Sequence, residues 1–567
     1  MSVKTPWYAK MGDIPCHLEY FQGTMVEALE KTAGEHPELP AYDFLGNTAS
    51  YEKLVRQIHE AAASLKACGI KEGERVTICL PNTPMAIIMF YAVNMVGAIA
   101  NMIHPLSAEG EIEFYLNDSE SVAAITVDMF YQKFINIRRR TPTLRTMIVC
   151  SIADGLKGLK VLGYKLTKGR KVPKVPRDGS CLTWKEFLQK GRGVTDVRVA
   201  RKANDPAAIL YSGGTTGVTK GISLSNLNFN ALAAQLVATN PMLEVGDKML
   251  SIMPMFHGFG LGVNIHGMLV NGAQCVLVPQ FTPKTFAELL AKHQPNFIAG
   301  VPTLFEALLR IDGLDDLKLA CLKGVFSGGD TLPVELKRRF DAFLKAHGAT
   351  ITVREGYGTT ECVTASCLTP LNEYREGSIG IPFPDTYYKI VKVGTEDEVP
   401  YGEEGEICLA GPTVMLEYVN HPEETANTLR KHADGMTWVH TGDLGIMDSD
   451  GFIYFRQRIK RMIITSGYNV YPSQIESILD EHEYVHMSCV IGVRDNYKMQ
   501  KVKAYVMLKA GIEPSDKEKE ELKAYCRTRI AKFAMPYDIE FRAELPKTLV
   551  GKVAYRVLEE EEAQKAG

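Results

Sequence analysis

Paired cysteines are missing from this sequence, although it contains twelve cysteine residues. No C-x-x-C pair occurs, and the closest pair, Cys362 and Cys367, has no second pair at the spacing of a zinc site. Scattered cysteines are typical of reduced thiols in a cytosol rather than of an extracellular disulfide framework. We therefore predict free thiols and a cytoplasmic protein.

An excess of either charge is also missing. The 64 Lys and Arg residues nearly balance the 67 Asp and Glu residues, and the net charge is −3. Proteins that bind nucleic acid usually present concentrated positive charge, so this balance predicts no nucleic-acid partner. The length of 567 residues exceeds what one hydrophobic core usually organises, which predicts at least two domains.

Long apolar segments are few. The first 23 residues contain none, so the sequence predicts no secretory signal. The segment from Met85 to Ile103 is uncharged and about as long as a membrane span, but two asparagines and a glycine interrupt it. We predict instead a buried helix at about Pro84 to Met95 and a buried strand at Ala98 to Ile103.

Strand-length apolar segments alternate with helical patterns along most of the chain, which is typical of α/β sheets. The predicted strands include Arg75 to Leu80, Val122 to Val127, Thr146 to Cys150, Gln274 to Val278 and Phe297 to Val301. Between about residues 377 and 416 the pattern changes to short strands with glycine and proline turns, which predicts a β-rich subdomain. After Arg458 a new unit begins with its own small core.

One segment is strongly basic. Residues 155–177 contain eight Lys or Arg residues and no acid, with apolar residues between the charges. Such a segment could form an amphipathic surface helix that contacts anionic lipid. It could equally form the charged, solvated face of an insertion, and both interpretations stay open.

A Gly/Thr-rich loop at Tyr211 to Gly221 gives the most specific chemical indication. An apolar run precedes it and an alternating segment follows it, which predicts a strand, a loop and a second strand. Glycines admit a phosphate close to the backbone, hydroxyl and N–H groups donate to its oxygens, and Lys220 offsets its charge. No Ser or Thr follows this lysine, so the loop is not a Walker A sequence. For the loop alone, a solvent-exposed hairpin is the alternative.

Six further segments have polar or glycine-rich patterns, and each alone has a structural alternative such as a turn or a charged surface. They are Pro254 to Gly260, Ser327 to Pro333, Glu355 to Glu361, Thr441 to Asp443, Phe455 to Arg461 and Leu545 to Val553. In this order, together with the Gly/Thr-rich loop, they resemble the motifs of the adenylate-forming enzymes, which include acyl-CoA synthetases, luciferases and peptide-synthetase adenylation domains. Seven motifs in family order make coincidence negligible.

The resemblance implies an α/β fold with a specific domain organisation. An N-terminal domain of residues 1–457 would contain two α/β sheet subdomains and a small β-barrel-like subdomain at about 377–457. A small, mobile α+β domain of residues 458–567 would rotate about Lys460 between two half-reactions. One departure is Arg461, where many relatives carry an acid.

The resemblance also implies the use of ATP, Mg²⁺ and coenzyme A. Lys552 would bridge the substrate carboxylate and the α-phosphate, Glu361 would bind Mg²⁺, and Thr360 would donate to a phosphate. His257 would border the acyl pocket and the α-phosphate. The remaining residues that the resemblance assigns to phosphate, adenine, ribose or pantetheine are Ser212, Gly213, Gly214, Thr215, Thr216, Gly217, Lys220, Gly328, Gly329, Gly356, Tyr357, Gly358, Thr359, Asp443, Phe455, Arg458, Lys460 and Gly467.

The implied reaction converts a carboxylic acid to an acyl-adenylate and then to acyl-CoA. The basic segment and Gly213 resemble bacterial long-chain fatty acyl-CoA synthetases, and we expect a medium- or long-chain fatty acid. Gly258, Phe259, Gly260 and Gly262 could leave room for its alkyl chain, whereas neighbouring aromatic side chains could restrict the pocket to a small or aromatic acid.

Three other functions stay open on the sequence. They are a fatty acyl-AMP ligase that passes its product to a carrier protein, a peptide-synthetase adenylation domain, and a non-catalytic scaffold that binds nucleotide or lipid. The sequence does not define the oligomeric state, and a homodimer is one option. Fifteen residues follow Lys552 in this sequence, so we expect no fused carrier domain.

Overall fold

The computed structural model describes residues 3–173, 175, 179–212, 219–465, 468–495, 499–548 and 553–566. The chain divides into two compact units. The first consists of Met1–Tyr388 and Leu409–Val439, and the second of Lys389–Cys408 and His440–Gly567. The boundary predicted between residues 457 and 458 concerns a domain motion, which this division does not test, so it stays a prediction.

Strands and helices alternate along the described residues. The strands are β1 (Pro40–Phe44), β2 (Asn47–Ser50), β3 (Arg75–Cys79), β4 (Ile99–Met102), β5 (Ala123–Val127), β6 (Thr146–Cys150), β7 (Leu182–Thr183), β8 (Pro206–Ser212), β9 (Lys220–Ser225), β10 (Lys248–Ser251), β11 (Gln274–Leu277), β12 (Phe297–Gly300), β13 (Gly324–Ser327), β14 (Val353–Tyr357), β15 (Cys367–Leu368), β16 (Ile381–Pro382), β17 (Tyr387–Val391), β18 (Glu404–Ala410), β19 (Glu417–Tyr418), β20 (Leu429–Lys431), β21 (Thr437–Met447), β22 (Ile453–Arg458), β23 (Ile463–Thr465), β24 (Tyr468–Val470), β25 (Val485–Asp495), β26 (Met499–Leu508) and β27 (Asp538–Phe541).

The α-helices are α1 (Met25–Glu35), α2 (Tyr51–Ala67), α3 (Pro84–Met95), α4 (Glu109–Asp118), α5 (Tyr131–Ile137), α6 (Leu159–Leu166), α7 (Trp184–Lys190), α8 (Asn226–Thr239), α9 (Gly267–Leu269), α10 (Pro283–His293), α11 (Pro302–Leu309), α12 (Val334–Ala346), α13 (Pro422–Thr428), α14 (Pro472–Asp480), α15 (Asp516–Arg527) and α16 (Tyr555–Ala566). A π-helical segment, Phe259–His266, precedes α9. Short 3-10 turns occupy Pro6–Lys10, Arg138–Arg140, Ile152–Gly155, Lys168–Lys171, Thr360–Cys362, Ile459–Arg461 and Lys532–Ala534.

The first unit is built on two large sheets, which have nine and eight strands among the described residues. In the nine-stranded sheet, the order is β16-β15-β14-β13-β12-β10-β11-β1-β2, and the pairs from β14 to β1 are parallel. The eight-stranded sheet has the order β19-β9-β8-β4-β3-β5-β6-β7. The five strands predicted from apolar segments correspond to β3, β5, β6, β11 and β12, and each end differs by at most one residue. The α/β prediction is confirmed.

Helix α3 and strand β4 form from the uncharged segment Met85 to Ile103, which is about as long as a membrane span. All residues of α3 are buried, and Thr83 caps the helix just before Pro84 at its first turn. Asn94 is satisfied inside the core, because its Oδ1 accepts from the Val26 N–H at 3.0 Å and its Nδ2 donates to Asn226 Oδ1 at 2.7 Å. The predicted buried helix and strand are confirmed. Among the described residues, none of the helices has the length and apolar character needed to cross a membrane.

Two smaller sheets complete the chain. One has the order β17-β18-β21-β20, with β22 also paired to β21, and contains the segments at which the chain passes between the units. The other, in the second unit, has the order β24-β23-β26-β25, with β27 parallel to β26. Its core is apolar and includes Ile463, Val490, Leu479 and Leu522. This small mixed unit agrees with the predicted α+β C-terminal domain.

A buried acid lies at the base of the loop that follows β14. The side chain of Glu355 is buried, and its Oε1 accepts a hydrogen bond from the Leu332 N–H at 3.1 Å. Burial raises the pKa of this carboxyl from 4.5 to about 7, because the charged form loses water without gaining an equal partner. Folding stability therefore depends on pH at this position.

Replacing Glu355 with glutamine is expected to stabilise the protein at pH 8 and to have little effect at pH 5. The folded wild type keeps the Glu355 proton at pH values where the unfolded chain has lost it, so wild-type stability falls as the pH rises from about 4.5 to about 7. Glutamine cannot ionise and still offers an acceptor to Leu332. The gain at pH 8 is expected to reach about 3 kcal/mol, measured from the unfolding midpoint at both pH values.

The control is Glu335→Gln on α12, because the Glu335 side chain is 70% exposed. We expect this variant to change stability by less than about 0.5 kcal/mol at either pH. An equal effect of Glu355→Gln at pH 5 and pH 8 would contradict the proposed ionisation cost.

Candidate active site

Two predicted nucleotide loops follow neighbouring parallel strands. The register of β13 and β14 pairs Ser327 with Glu355, so the turns after both strands emerge at the same edge of the sheet. A side chain at Gly328 would place its Cβ 3.3 Å from the Gly356 carbonyl oxygen, and Gly329 has a φ of +80°. The two turns therefore approach each other through their backbones, which explains why the sequence has glycine at these positions.

The loop that carries Tyr357 is fixed by the strand that follows it. The Tyr357 carbonyl oxygen accepts from the Ser366 N–H at 2.9 Å, and the Ser366 hydroxyl lies 2.5 Å from the Tyr388 hydroxyl. A Cβ at Gly358 would lie 1.7 Å from the Thr364 carbonyl oxygen. Tyr357 itself is half-buried. The structure thus places Gly356 and Tyr357, the last residues of β14, beside Gly328, and Gly358 follows them directly.

Glu361 and Thr360 lie in a single 3-10 turn, Thr360–Cys362, which Thr359 begins. The Glu361 carboxylate is half-buried, and its Oε1 accepts from the Tyr418 hydroxyl at 2.6 Å. The Glu361 carbonyl oxygen accepts from the Met415 N–H at 2.7 Å. Both the backbone and the side chain of this predicted metal ligand are therefore held by the segment around β19.

The turn ends in a strained residue. Val363 is fully buried and has φ +64° and ψ −60°, and the Thr364 N–H donates to the Cys362 carbonyl oxygen at 2.7 Å. This is a γ-turn of the positive-φ type, which is rare and costs about 1–3 kcal/mol for a non-glycine residue. Strained residues concentrate at functional sites, which supports a functional role for the Glu361 turn.

The predicted acyl-pocket segment packs against this γ-turn. His257 is half-buried, and its Nδ1 accepts from the Phe259 N–H at 3.2 Å. A Cβ at Gly258 would lie 1.7 Å from the Val363 carbonyl oxygen, and a Cβ at Gly260 would lie 2.1 Å from that of Pro254. The expectation that these glycines leave room for an alkyl chain is wrong, because backbone atoms fill that space. At Gly262, a Cβ would meet the side chains of Leu232 and Val363 at 2.9 Å.

Lys220 opens the strand that follows the Gly/Thr-rich loop. It pairs with Ser212 across β8 and β9, which confirms the two predicted strands on either side of the loop. The Lys220 Nζ lies 3.8 Å from Glu424 Oε1 and 5.1 Å from the centre of the Tyr418 ring. The loop residues Gly213, Gly214, Thr215, Thr216 and Gly217 and the side chain of Ser212 lie outside the described residues.

Tyr418 thus links two predicted site residues, Lys220 and Glu361, although no sequence motif indicated it. It lies on the two-residue strand β19, which pairs with β9 so that Tyr418 is opposite Ile222. A strand of two residues has no periodic pattern to detect. The contact depends on pairing between segments about 200 residues apart, which sequence reasoning could not supply.

In the second unit, Asp443 and Arg458 face each other on the antiparallel strands β21 and β22. The Arg458 Nε lies 3.2 Å from Asp443 Oδ1, and the Asp443 side chain is buried. The Thr441 hydroxyl accepts from the Asp443 N–H at 3.1 Å and donates to the Ile407 carbonyl oxygen at 2.7 Å. The structure therefore brings together the two residues that the resemblance assigns to ribose or phosphate.

A buried carboxylate supports this turn. One Glu406 oxygen accepts from the Gly442 N–H at 3.0 Å, and the other lies 2.9 Å from His440 Nδ1. Glu406, Cys408 and His440 place possible metal-ligating atoms within 4.8 Å of one another. Both carboxylate oxygens already have partners in the turn, so we assign this cluster to holding Gly442 in place.

The predicted junction between domains follows β22. Phe455 pairs with Gly445, and Lys460 lies in the 3-10 turn Ile459–Arg461. Arg461 Nη2 lies 2.5 Å from Glu476 Oε1, and its guanidinium lies 4.8 Å from the Tyr555 ring centre. Burial disfavours the charged form of Arg461, but the Glu476 carboxylate acts against this and the pKa of Arg461 lies above its ordinary value. The basic residue at this position therefore has a partner inside the second unit.

Two predicted residues of the second unit, Gly467 and Lys552, lie outside the described residues. On either side of the predicted lysine loop, Lys547 forms an antiparallel bridge with Val553, and the Ala554 N–H donates to the Pro546 carbonyl oxygen at 2.7 Å. Helix α16 follows directly, and Leu558 is buried with Leu545. The segments that enter and leave the lysine loop are therefore joined at their base.

Comparison with known proteins gives the family to which this chain is similar. Residues 29–419 match the AMP-binding enzyme family, and residues 474–552 match the AMP-binding enzyme C-terminal domain. The chain is 35% identical to the long-chain-fatty-acid–CoA ligase of Bacillus subtilis (strain 168), over 100% of this chain and 99% of that protein. It is 33% identical to the long-chain-fatty-acid–CoA ligase of Salmonella typhimurium (strain LT2), over 97% and 96% of the two chains.

Solved structures agree with this assignment. ATP-bound MatB from Rhodopseudomonas palustris is 26% identical, with a TM-score of 0.83 over 96% of this chain and 100% of that chain. The resemblance to adenylate-forming enzymes is confirmed, since the family match alone extends over more than half of the sequence. This protein belongs to the AMP-binding enzyme family.

Proposed function

We propose that this protein activates long-chain fatty acids, using ATP to form an acyl-adenylate and coenzyme A to form the acyl-CoA. The observation that carries the proposal is that the Tyr418 side chain contacts both Lys220 and Glu361. Glu361 lies shortly after the end of β14, the strand that pairs with β13. The choice of a fatty acid is supported by the two relatives from Bacillus subtilis and Salmonella typhimurium, which match over nearly their full lengths.

The first half-reaction needs charge neutralisation rather than a general base. A carboxylic acid is already ionised at neutral pH, and it attacks the α-phosphorus of ATP while pyrophosphate leaves. Two anions must meet, so positioned cations provide most of the catalysis. In this proposal Lys552 contacts the substrate carboxylate and the α-phosphate, and Lys220 and the Gly/Thr-rich loop hold the phosphates that leave.

The donors around Glu361 fit a magnesium ion. Mg²⁺ in nucleotide sites usually takes one or two carboxylates together with phosphate oxygens, and Glu361 offers a half-buried carboxylate in the same 3-10 turn as Thr360. When bound there, the cation would neutralise charge on the phosphates. Glu361 would hold the cation, and Thr360 would donate to a phosphate.

Other residues would hold the nucleoside and the acyl group. Tyr357 would stack on adenine above the backbone turns of Gly328 and Gly356, since a flat aromatic contact suits a base. Asp443 would accept from both ribose hydroxyls, with Arg458 beside it. His257 would lie between the acyl group and the α-phosphate.

In the second half-reaction the thiol of coenzyme A attacks the acyl carbonyl, the carbon–oxygen bond to phosphate breaks, and AMP leaves. Lys552 and the thiol would not share one entry route, so we propose that the C-terminal domain rotates about Lys460 between the halves. Gly467 would then line the pantetheine channel, where a side chain would obstruct it.

The test is pyrophosphate release with ATP, Mg²⁺ and a panel of acids from acetate to long-chain fatty acids, with benzoate included, with and without coenzyme A. Pyrophosphate with the longer acids, and AMP turnover stimulated by coenzyme A, is the expected result. A single equivalent of pyrophosphate despite coenzyme A would indicate an acyl-AMP ligase. No release with any acid would contradict catalysis by this site.

Lys552 is expected to act in the first half-reaction, formation of the acyl-adenylate, and not in the second. Lys552→Ala should lower pyrophosphate release about 10²–10³-fold, because the positive charge beside the developing phosphate charge is lost. Transfer of the acyl group from added acyl-adenylate to coenzyme A should stay close to wild type. Both steps can be followed separately by pyrophosphate and acyl-CoA formation.

The matched control is Lys547→Ala, five residues earlier, because Lys547 is exposed. It should leave both half-reactions unchanged. Equal losses in the two half-reactions of Lys552→Ala would show a general structural defect instead of a role in adenylation.

We also propose that the basic segment contacts an anionic membrane surface. It forms helix α6 and the 3-10 turn Lys168–Lys171. Three leucines of α6 are exposed: Leu159 (86%), Leu162 (55%) and Leu166 (52%). Their spacing of three and four residues places them on one face of the helix, among lysines and arginines. Apolar side chains with surrounding positive charge suit the interface of an anionic bilayer.

Replacement of Leu159, Leu162 and Leu166 by serine should reduce co-sedimentation with phosphatidylserine-containing vesicles at least several-fold, because the apolar contact is lost. Neutralising Lys165, Lys168, Arg170 and Lys171 should have a similar effect at low salt. Leu371→Ser is the control, since Leu371 is an exposed leucine (44%) outside the basic segment. Unchanged sedimentation of both variants would leave the charged, solvated face as the explanation of the segment.

A further inference from the structure

The hydroxyl of Tyr418 is bonded directly to the carboxylate that we assign to the magnesium ion. The Tyr418 oxygen lies 2.6 Å from Glu361 Oε1, and Tyr418 is only 7% exposed. A phenol that donates to an ionised carboxylate in a poorly solvated place forms a strong, well-oriented hydrogen bond. This contact fixes one carboxylate oxygen and leaves the second as a candidate metal ligand.

The backbone holds Tyr418 independently of this hydrogen bond. The Leu416 N–H donates to the Ser223 carbonyl oxygen at 2.9 Å, and the Val419 N–H donates to that of Gly221 at 2.8 Å. The Tyr418 N–H donates to the Thr425 hydroxyl at 2.9 Å. Because strand β9, helix α13 and β19 together fix the Tyr418 backbone, loss of the hydroxyl alone should leave the ring in place.

The same ring faces the lysine that ends the Gly/Thr-rich loop. Lys220 Nζ lies 5.1 Å from the ring centre, a distance at which a cation is attracted to the face of an aromatic ring. The same Nζ lies 3.8 Å from Glu424 Oε1. Tyr418 therefore contacts both a phosphate-binding cation and a carboxylate through separate parts of one side chain.

We infer that Tyr418 is a positioning residue that orients the Glu361 carboxylate for Mg²⁺. The inference rests on the proposed function of Glu361. It goes beyond that function because it assigns the orientation of the metal-binding carboxylate to a residue of β19, outside the turn that carries Glu361. Hydrogen-bond partners of metal ligands typically change metal affinity 10–100-fold when they are removed. The ring would remain in Tyr418→Phe and keep its packing and its contact with Lys220, so only the carboxylate would lose a partner.

The experiment is a magnesium titration of pyrophosphate release by the full-length protein with ATP and palmitate. For Tyr418→Phe we expect the half-saturating Mg²⁺ concentration to rise about ten-fold or more, because the carboxylate is no longer held in one orientation. At saturating Mg²⁺ the rate should return to within about three-fold of wild type, since the hydroxyl does not touch the reacting atoms. A purely structural role would lower the rate at every Mg²⁺ concentration.

The matched control is Tyr42→Phe, which also removes a buried tyrosine hydroxyl. Tyr42 lies on β1 of the nine-stranded sheet, and its buried hydroxyl donates to Gln57 Oε1 on α2 at 3.1 Å. This variant should keep the wild-type magnesium dependence. Thermal unfolding of both variants identifies any general loss of stability.

Two further variants, Glu361→Gln and Glu361→Gln combined with Tyr418→Phe, test the role of Glu361 separately from the role of Tyr418. If Glu361→Gln keeps the wild-type magnesium dependence, then the metal role of Glu361 is wrong. If Glu361→Gln changes that dependence but Tyr418→Phe does not, then Glu361 keeps its role and the inference about Tyr418 is overturned. If Tyr418 acts through Glu361, adding Tyr418→Phe to Glu361→Gln should produce little further change.

Discussion

The parallel hydrogen bonding of β13 and β14 sets Ser327 opposite Glu355, and the loops of the candidate site depend on this register. It brings the turn of Gly328 within van der Waals distance of Gly356, and it starts the chain toward Glu361 at the same sheet edge. A slip by one residue would exchange the two faces of β14 and move Tyr357 away from this edge. The positions of the loops that carry the candidate site residues therefore depend on the pairing of β13 and β14 in the first unit.

Three glycines of the candidate site serve backbone contact rather than open space. At Gly258, Gly260 and Gly358 the missing side chain is replaced by a carbonyl oxygen of a neighbouring segment. These contacts join the His257 segment, the Tyr357 turn and the γ-turn at Val363 into one packed layer. In the proposed function, selection of the acyl chain would then depend on side chains outside these glycines.

Local patterns were sufficient for much of the fold and for the order of the motifs. The strands β3, β5, β6, β11 and β12 are short segments rich in apolar residues, and α3 is an apolar helix with a capping threonine, so their positions followed from local sequence. The contacts of Tyr418, the positive φ of Val363 and the Glu406 support of Gly442 did not follow. Each of these depends on segments that are distant in sequence, and none changes the local pattern of apolar and polar residues.

Arg461 shows how an apparent departure in sequence can be consistent with the fold. Its guanidinium contacts Glu476 on α14 and Tyr555 on α16, so the turn after β22 is fastened to two helices of the second unit. In a rotation about Lys460, the turn, α14 and α16 would move as one stiff body, and the flexible part would be limited to a few residues. Few backbone dihedrals would then be released and ordered again in each catalytic cycle, so the entropic cost of repeated reorientation would be small.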